Sequence, residues 1–159
     1  MSNFKKLIKF TYVIILALFF GSNCYATHIK AGEFSARRLS NSALEYEITL
    51  TLYYNTNGTT VDPDFVKISF GDGSPLLQRV DRLSKIDVGN NTTKNTFVIN
   101  HTYNGASTYI ISMQEINRNA NIQNIAFGNS EVPFYVELQL KINPIYGLNS
   151  SPVMTVPPI

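Results

Sequence analysis

The sequence predicts an all-β protein, an antiparallel β-sandwich, and three observations carry that prediction. Apolar and polar residues alternate with a period of two through residues 44–54 and again through 132–142. Turn chemistry separates such runs, at Asn55-Thr56-Asn57-Gly58, Asp62-Pro63-Asp64, Gly71-Asp72-Gly73-Ser74-Pro75, Gly89-Asn90-Asn91 and Asn104-Gly105. No segment after residue 27 sustains helical spacing with capping residues, although residues 84–88 are too short to judge.

Each strand has its own justification. Residues 29–39 are less regular than the rest and are expected to form a first strand with a bulge near Gly32. In the second strand Leu44, Tyr46, Ile48, Leu50, Leu52 and Tyr54 give a buried face, and Glu45, Glu47, Thr49 and Thr51 a wet one. Shorter strands are expected at 65–70, 94–103 and 108–116, and the long stretch from 75 to 100 has room for added strands or a long hairpin. The last strand alternates Val132, Phe134, Val136, Leu138, Leu140 and Ile142 against Glu131, Pro133, Tyr135, Glu137, Gln139 and Lys141. Pro133 has no N–H to donate, which marks an edge or a strand start.

Both ends of the chain differ from this domain. Residues 1–26 read as a secretory signal: Lys5, Lys6 and Lys9 precede an apolar run over residues 10–20, and Cys24 and Ala26 put small residues at −3 and −1 of a cleavage site. The run is about half the ~20 residues that span a bilayer, which argues against a retained anchor. Cleavage leaves 133 residues, enough for one domain with a real core and too few for a large multidomain enzyme. It also removes the only cysteine, and with it disulfide, thiol and thiolate chemistry. The competing reading is lipidation of Cys24, which the preceding Asn23 fits poorly. The domain is expected over residues 27–143. Beyond it, residues 144–159 read as a proline-containing linker or truncated tail, through Gly147-Leu148-Asn149-Ser150-Ser151-Pro152 and the extended Pro157-Pro158.

Charge excludes one class of partner. The full chain has 13 basic and 11 acidic residues, but three of the basic ones lie in the signal, so the mature product carries a net charge of −1. The pI of about 8.6 belongs to the leader and gives no argument for nucleic-acid binding.

The most informative string is Ile68-Ser69-Phe70-Gly71-Asp72-Gly73-Ser74, a hydrophobic strand reversing through Gly-Asp-Gly. Downstream lie His101-Thr102-Tyr103, then Asn104-Gly105, then Thr108-Tyr109 heading an apolar strand. Together Phe70, Gly71, Asp72, Gly73, His101, Thr102, Tyr103, Thr108 and Tyr109 resemble the motif of the PKD (polycystic-kidney-disease) domain family over roughly residues 65–116. The departures are the absence of any Trp, the long 75–100 stretch, and Ala106-Ser107 between Gly105 and the Thr-Tyr pair. Residues 26–33, 132–137 and 149–153 look similar to parts of large secreted surface proteins of gliding-type bacteria, which begin with such a module. The resemblance implies an immunoglobulin-like sandwich outside the cell, serving as spacer or binding surface, in a family that is not generally catalytic.

Candidate sites divide between chemistry and architecture. Asp72 has the residue type of a calcium ligand, with Asp62, Asp64 or Glu33 as partners, or else caps its own turn. His101 shares a strand face with Phe97, Ile99 and Tyr103; its only fellow histidine is His28, so a zinc site lacks ligands and a hydrogen-bonded structural role is expected. Tyr53, Tyr54, Tyr103, Tyr109 and Tyr135 could form a carbohydrate-stacking platform, with Tyr53 and Tyr135 on outward faces by alternation. The sequons at Asn57, Asn91, Asn100 and Asn149 would accept glycans only in a eukaryotic secretory pathway. No nucleophile elbow, phosphate loop or dinucleotide fingerprint is present, and a hydrolase would need two acids converging on a cleft.

The combined expectation is a non-catalytic exported module acting as a structural or adhesive unit at the cell surface. Its partners would be surface proteins or glycans, not nucleic acid, and it would meet the membrane only through the signal or a lipid anchor. No cofactor is required, calcium being the one candidate. The alternative is a calcium- or glycan-binding accessory module of a secreted enzyme.

Overall fold

The computed structural model describes residues 29–57, 62–74, 76–116, 132–143, 145 and 148–152. The signal segment, Cys24, His28 and Pro157-Pro158 lie outside them. Among the described residues seven strands are formed: β1 (Ile29–Arg38), β2 (Glu45–Asn55), β3 (Phe65–Ile68), β4 (Gln78–Gly89), β5 (Thr92–Thr102), β6 (Thr108–Glu115) and β7 (Phe134–Lys141). Every pairing is antiparallel, in a five-stranded sheet of order β1-β2-β5-β4-β3 and a two-stranded sheet β6-β7. No helix among the described residues is long and apolar enough to cross a membrane.

β4 serves two neighbours in succession. Its first four residues pair with β3, and from Arg82 onward it pairs with β5, with register shifts between Arg82 and Ser84 and between Asp87 and Gly89. Just past β3, Ser69 and Ser112 exchange both backbone hydrogen bonds at 2.9 Å, which ties β3 to β6 and joins the two sheets. The fold is all-β and antiparallel, consistent with a β-sandwich.

The inner faces supply the core because alternation sends every second side chain inward. Ile48, Leu50, Leu52 and Tyr54 of β2 are sealed, as are Phe97 of β5 and Ile111 of β6, and Phe34, Ile68, Met113 and Phe134 join them. Each such large side chain contributes roughly 2 kcal/mol on burial. Gly32 is where the sheets approach closely: a Cβ there would stand 2.6 Å from Leu52 Cδ2 and 3.0 Å from Phe134 Cζ. The irregularity expected near Gly32 falls just before it, between Ile29 and Ala31, and Gly32 itself supplies space.

The stretch from 75 to 100 does contain a long hairpin, β4–β5. Its turn holds three successive residues at positive φ, Gly89 (81°), Asn90 (50°) and Asn91 (51°), residue types that tolerate the left-handed region. Lys30 Nζ grips this turn by donating to Asn90 O, Asn91 O and Thr92 Oγ1 at 3.2, 3.0 and 2.7 Å. After β7, part of the stretch that reads as a linker runs back along β1: the Arg38 amide donates to Asn149 O (2.9 Å) and the Ser151 amide to Ala36 O (2.8 Å). The Ala36 amide in turn donates to Ser151 Oγ at 2.8 Å.

Candidate functional site

The residues that carry the sequence motif meet at one end of the fold, where β3 turns and β5 finishes. Gly71 and Gly73 take φ of 73° and 78°. At Gly71 space is decisive as well, since a Cβ would come within 2.5 Å of Ile110 O, backbone that cannot yield. Asp72 lies between the two glycines. Its Oδ1 accepts from the Ser74 amide at 3.1 Å and from the Ser74 hydroxyl, and its Oδ2 lies 2.7 Å from His101 Nε2.

Aromatic rings enclose that pair. The His101 ring stacks on Phe70 with centroids 4.1 Å apart and planes within 7°, and Tyr103 meets it edge-on at 4.6 Å. Tyr103 also lies against Tyr109 at 4.2 Å, and its hydroxyl donates to Phe70 O at 3.3 Å. The Tyr109 hydroxyl closes the next turn on Gly105 O at 3.0 Å. Seven of the nine motif residues therefore share one cluster. Thr102 and Thr108 stand outside it, exposed at the ends of β5 and β6.

The electrostatics of the cluster follow from its bonds. Burial opposes ionisation of Asp72, but the hydrogen bonds from Ser74 and His101 outweigh it and hold the carboxyl down to about 2. Burial and the neighbouring Asp72 carboxylate push the Tyr103 phenol up, so it stays a donor. The arrangement resembles a hydrolytic triad in composition but not in order. Ser74 donates to Asp72 and not to His101, so the hydroxyl proton does not face the imidazole and the carboxylate is shared between two donors. Asp72 and His101 are 10% and 13% exposed, which leaves little access for a substrate.

A second polar cluster escaped the sequence reading. Asp62, expected at a turn tip, is 3% exposed beneath the β4–β5 hairpin. Its Oδ2 receives Thr93 Oγ1 at 2.6 Å, Asn95 Nδ2 at 2.8 Å and Lys85 Nζ at 3.0 Å. Arg82 clamps the same loop through Pro63 O at 3.0 Å and Asp64 Oδ1 at 2.7 Å. Burial works against the Asp62 charge, yet the bonds from Thr93, Asn95 and Lys85 lower its pKa below the usual aspartate range. The signal that could have found it is the inward phase of β5, where Thr93 and Asn95 occupy the same register as Phe97. Polar side chains at core positions require buried partners.

These contacts answer the calcium candidates in turn. Asp72 is held by Ser74 and His101, Asp62 by Lys85, Thr93 and Asn95, and Asp64 by Arg82. Among the described residues no group of three His, Cys, Asp or Glu side chains is placed to hold a metal ion. The five tyrosines do not form a platform either. Tyr54 and Tyr103 are core residues, and Tyr109 packs on Tyr103. Tyr53, expected outward and accessible, is only 3% exposed. It belongs to a central strand, opposite Ala31 on one side and Lys94 on the other, so its neighbours cover it. Tyr135 is exposed, and its hydroxyl donates to Glu137 Oε2 at 2.7 Å.

An open groove of about 450 Å³ lies where β3 and β6 diverge beyond the Ser69–Ser112 bridge. Its described lining is largely apolar, with Phe65, Val66, Leu77, Met113 and Ile116, and Glu115 is its single carboxylate. Two converging acids are not found there. No family model matches the chain, and neither the curated proteins nor the solved structures contain a match to it.

Proposed function

We propose that this chain is a PKD-like, immunoglobulin-like module, exported and non-catalytic, that acts as a structural or adhesive unit at the cell surface. One observation carries the reading. The motif residues Phe70, Gly71, Asp72, His101, Tyr103 and Tyr109 spend their polar atoms and rings on one another, in a clasp that joins the end of β3 to the ends of β5 and β6. A carboxylate and an imidazole serving a reaction would instead face a substrate.

Strand order adds support for the finer fold reading. The run β1-β2-β5-β4 parallels the ABED sheet of constant-type immunoglobulin sandwiches, and β3, although it also pairs with the start of β4, links through Ser69 to β6 and β7 in the order of the CFG sheet. A closed clasp of this kind suits a unit that must keep its shape outside the cell without a disulfide.

The glycan-binding alternative has one observation in its favour, the exposed Tyr135 ring fixed by Glu137 on the outer side of β7. Two measurements test the proposal. Mass spectrometry of the exported product is expected to find Thr27 at its start, and labelling of intact cells is expected to reach the protein. A product retained inside the cell with an intact leader overturns it. A glycan-array signal abolished by Tyr135→Ala would move the reading to the alternative.

A further inference from the structure

The free edges of this fold are not alike. β1 has its edge covered by residues 149–151 over Ala36 to Arg38. β7 follows Pro133 and sets the charged side chains of Glu137 and Lys141 at exposed positions, the usual protection of an edge. β4 has no covering segment among the described residues, and its exposed charges, Lys85 and Asp87, stand among exposed apolar residues. Beyond Arg82, whose amide still donates to Asp64 O at 2.7 Å, β4 pairs only with β5, so one side of its backbone is unpaired among the described residues. Along that stretch Leu83, Ile86 and Val88 are 71%, 55% and 43% exposed. A row of unpaired amides and carbonyls carrying three apolar side chains is a template for another strand.

The charges on the edge select the strand that fits. Lys85 and Asp87 flank Ile86 on the face opposite to it. When two copies of β4 pair antiparallel about an axis through residue 86, Lys85 lies opposite Asp87 of the second copy, and the same pair recurs across the axis. Ile86 then meets Ile86, and Ser84 meets Val88. Moving the axis to residue 85 or 87 opposes two lysines or two aspartates, which is unfavourable. The edge is self-complementary in one register, as an isologous interface requires. Lys85 Nζ lies 3.0 Å from Asp62 Oδ2, and its side chain remains 43% exposed and open to solvent.

We infer that the β4 edge from Ser84 to Val88 is a homotypic interaction surface, through which two copies of this chain join their five-stranded sheets into one. This goes beyond the function proposed above and does not depend on it. The contact is short, so the expected dimer is weak, with dissociation in the micromolar range or above.

Sedimentation velocity on the purified chain from about 1 to 200 µM tests the inference. The wild type is expected to shift from monomer to dimer with concentration. Ile86→Lys and Asp87→Lys place like charges across the axis and are expected to raise the dissociation constant tenfold or more. Asp87→Asn keeps an acceptor for the Gly89 amide, which Asp87 Oδ1 receives at 2.8 Å, and is expected to weaken the dimer less than Asp87→Lys. Far-UV circular dichroism checks that each variant is folded. Oxidation of Ile86→Cys is expected to yield a disulfide-linked dimer, and Glu47→Cys, on β2, none. A wild type that stays monomeric throughout overturns the inference, and so does a dimer unaffected by both lysine substitutions.

Discussion

Replacing Asp72 by Asn tests whether the motif cluster is a structural clasp. The substitution keeps the shape and one acceptor but removes the charge that Ser74 and His101 stabilise. The carboxyl is held at about 2, against an ordinary value of 3.8. A depression of roughly two units corresponds to roughly 2–3 kcal/mol of folding free energy, and the side chain is buried enough that solvent screening takes little of it. Because the folded value is the lower one, this contribution is complete above the unfolded value, shrinks as the pH falls from 4 towards 2, and disappears below. Urea unfolding of wild type and Asp72→Asn at pH 7, 4 and 2 measures it. The expected gap is about 2 kcal/mol at pH 7 and close to zero at pH 2. A gap of constant size at all three values, or none at pH 7, would refute the assignment of a charge-assisted clasp.

Three further substitutions probe the same framework. Gly71→Ala is expected to cost about 3 kcal/mol or more, since it adds a Cβ against Ile110 O at positive φ, whereas Gly73→Ala, which meets open space, should cost about 1–2 kcal/mol; thermal melts compare them. Asp62→Ala leaves Thr93 and Asn95 without their acceptor and Lys85 without its buried partner, so a loss of about 3 kcal/mol is expected in urea unfolding, and the gap should narrow in acid because the Asp62 pKa is lowered.

Several features were legible before any coordinates. The period-two runs of β2 and β7 set which residues face the core, because side chains on a strand must alternate. The Gly-Asp-Gly string announced a tight corner, because glycine accepts positive φ without a Cβ clash. The turn at Gly89-Asn90-Asn91 was readable because few other residue types accept three consecutive positive φ values. Asp62 was misread, since a carboxylate flanked by Pro63 looks like a turn tip and nothing local reveals that Thr93, Asn95 and Lys85 lie beneath it. Tyr53 misled for a related reason: alternation gives the face of a strand but not how far neighbouring strands cover it.

By itself, then, the sequence determined the strand class, the inward residues and the sharp corner, all of which rest on steric rules acting within a few residues of each other. Tertiary structure alone decided that Asp72 would meet His101, 29 residues away, and that Asp62 would be buried. It also decided that β4 would leave β3 and expose an edge with Ile86 at its centre. Those outcomes depend on which strands become neighbours and in what register, and that choice comes from the burial free energy of the whole core rather than from any local run of residues.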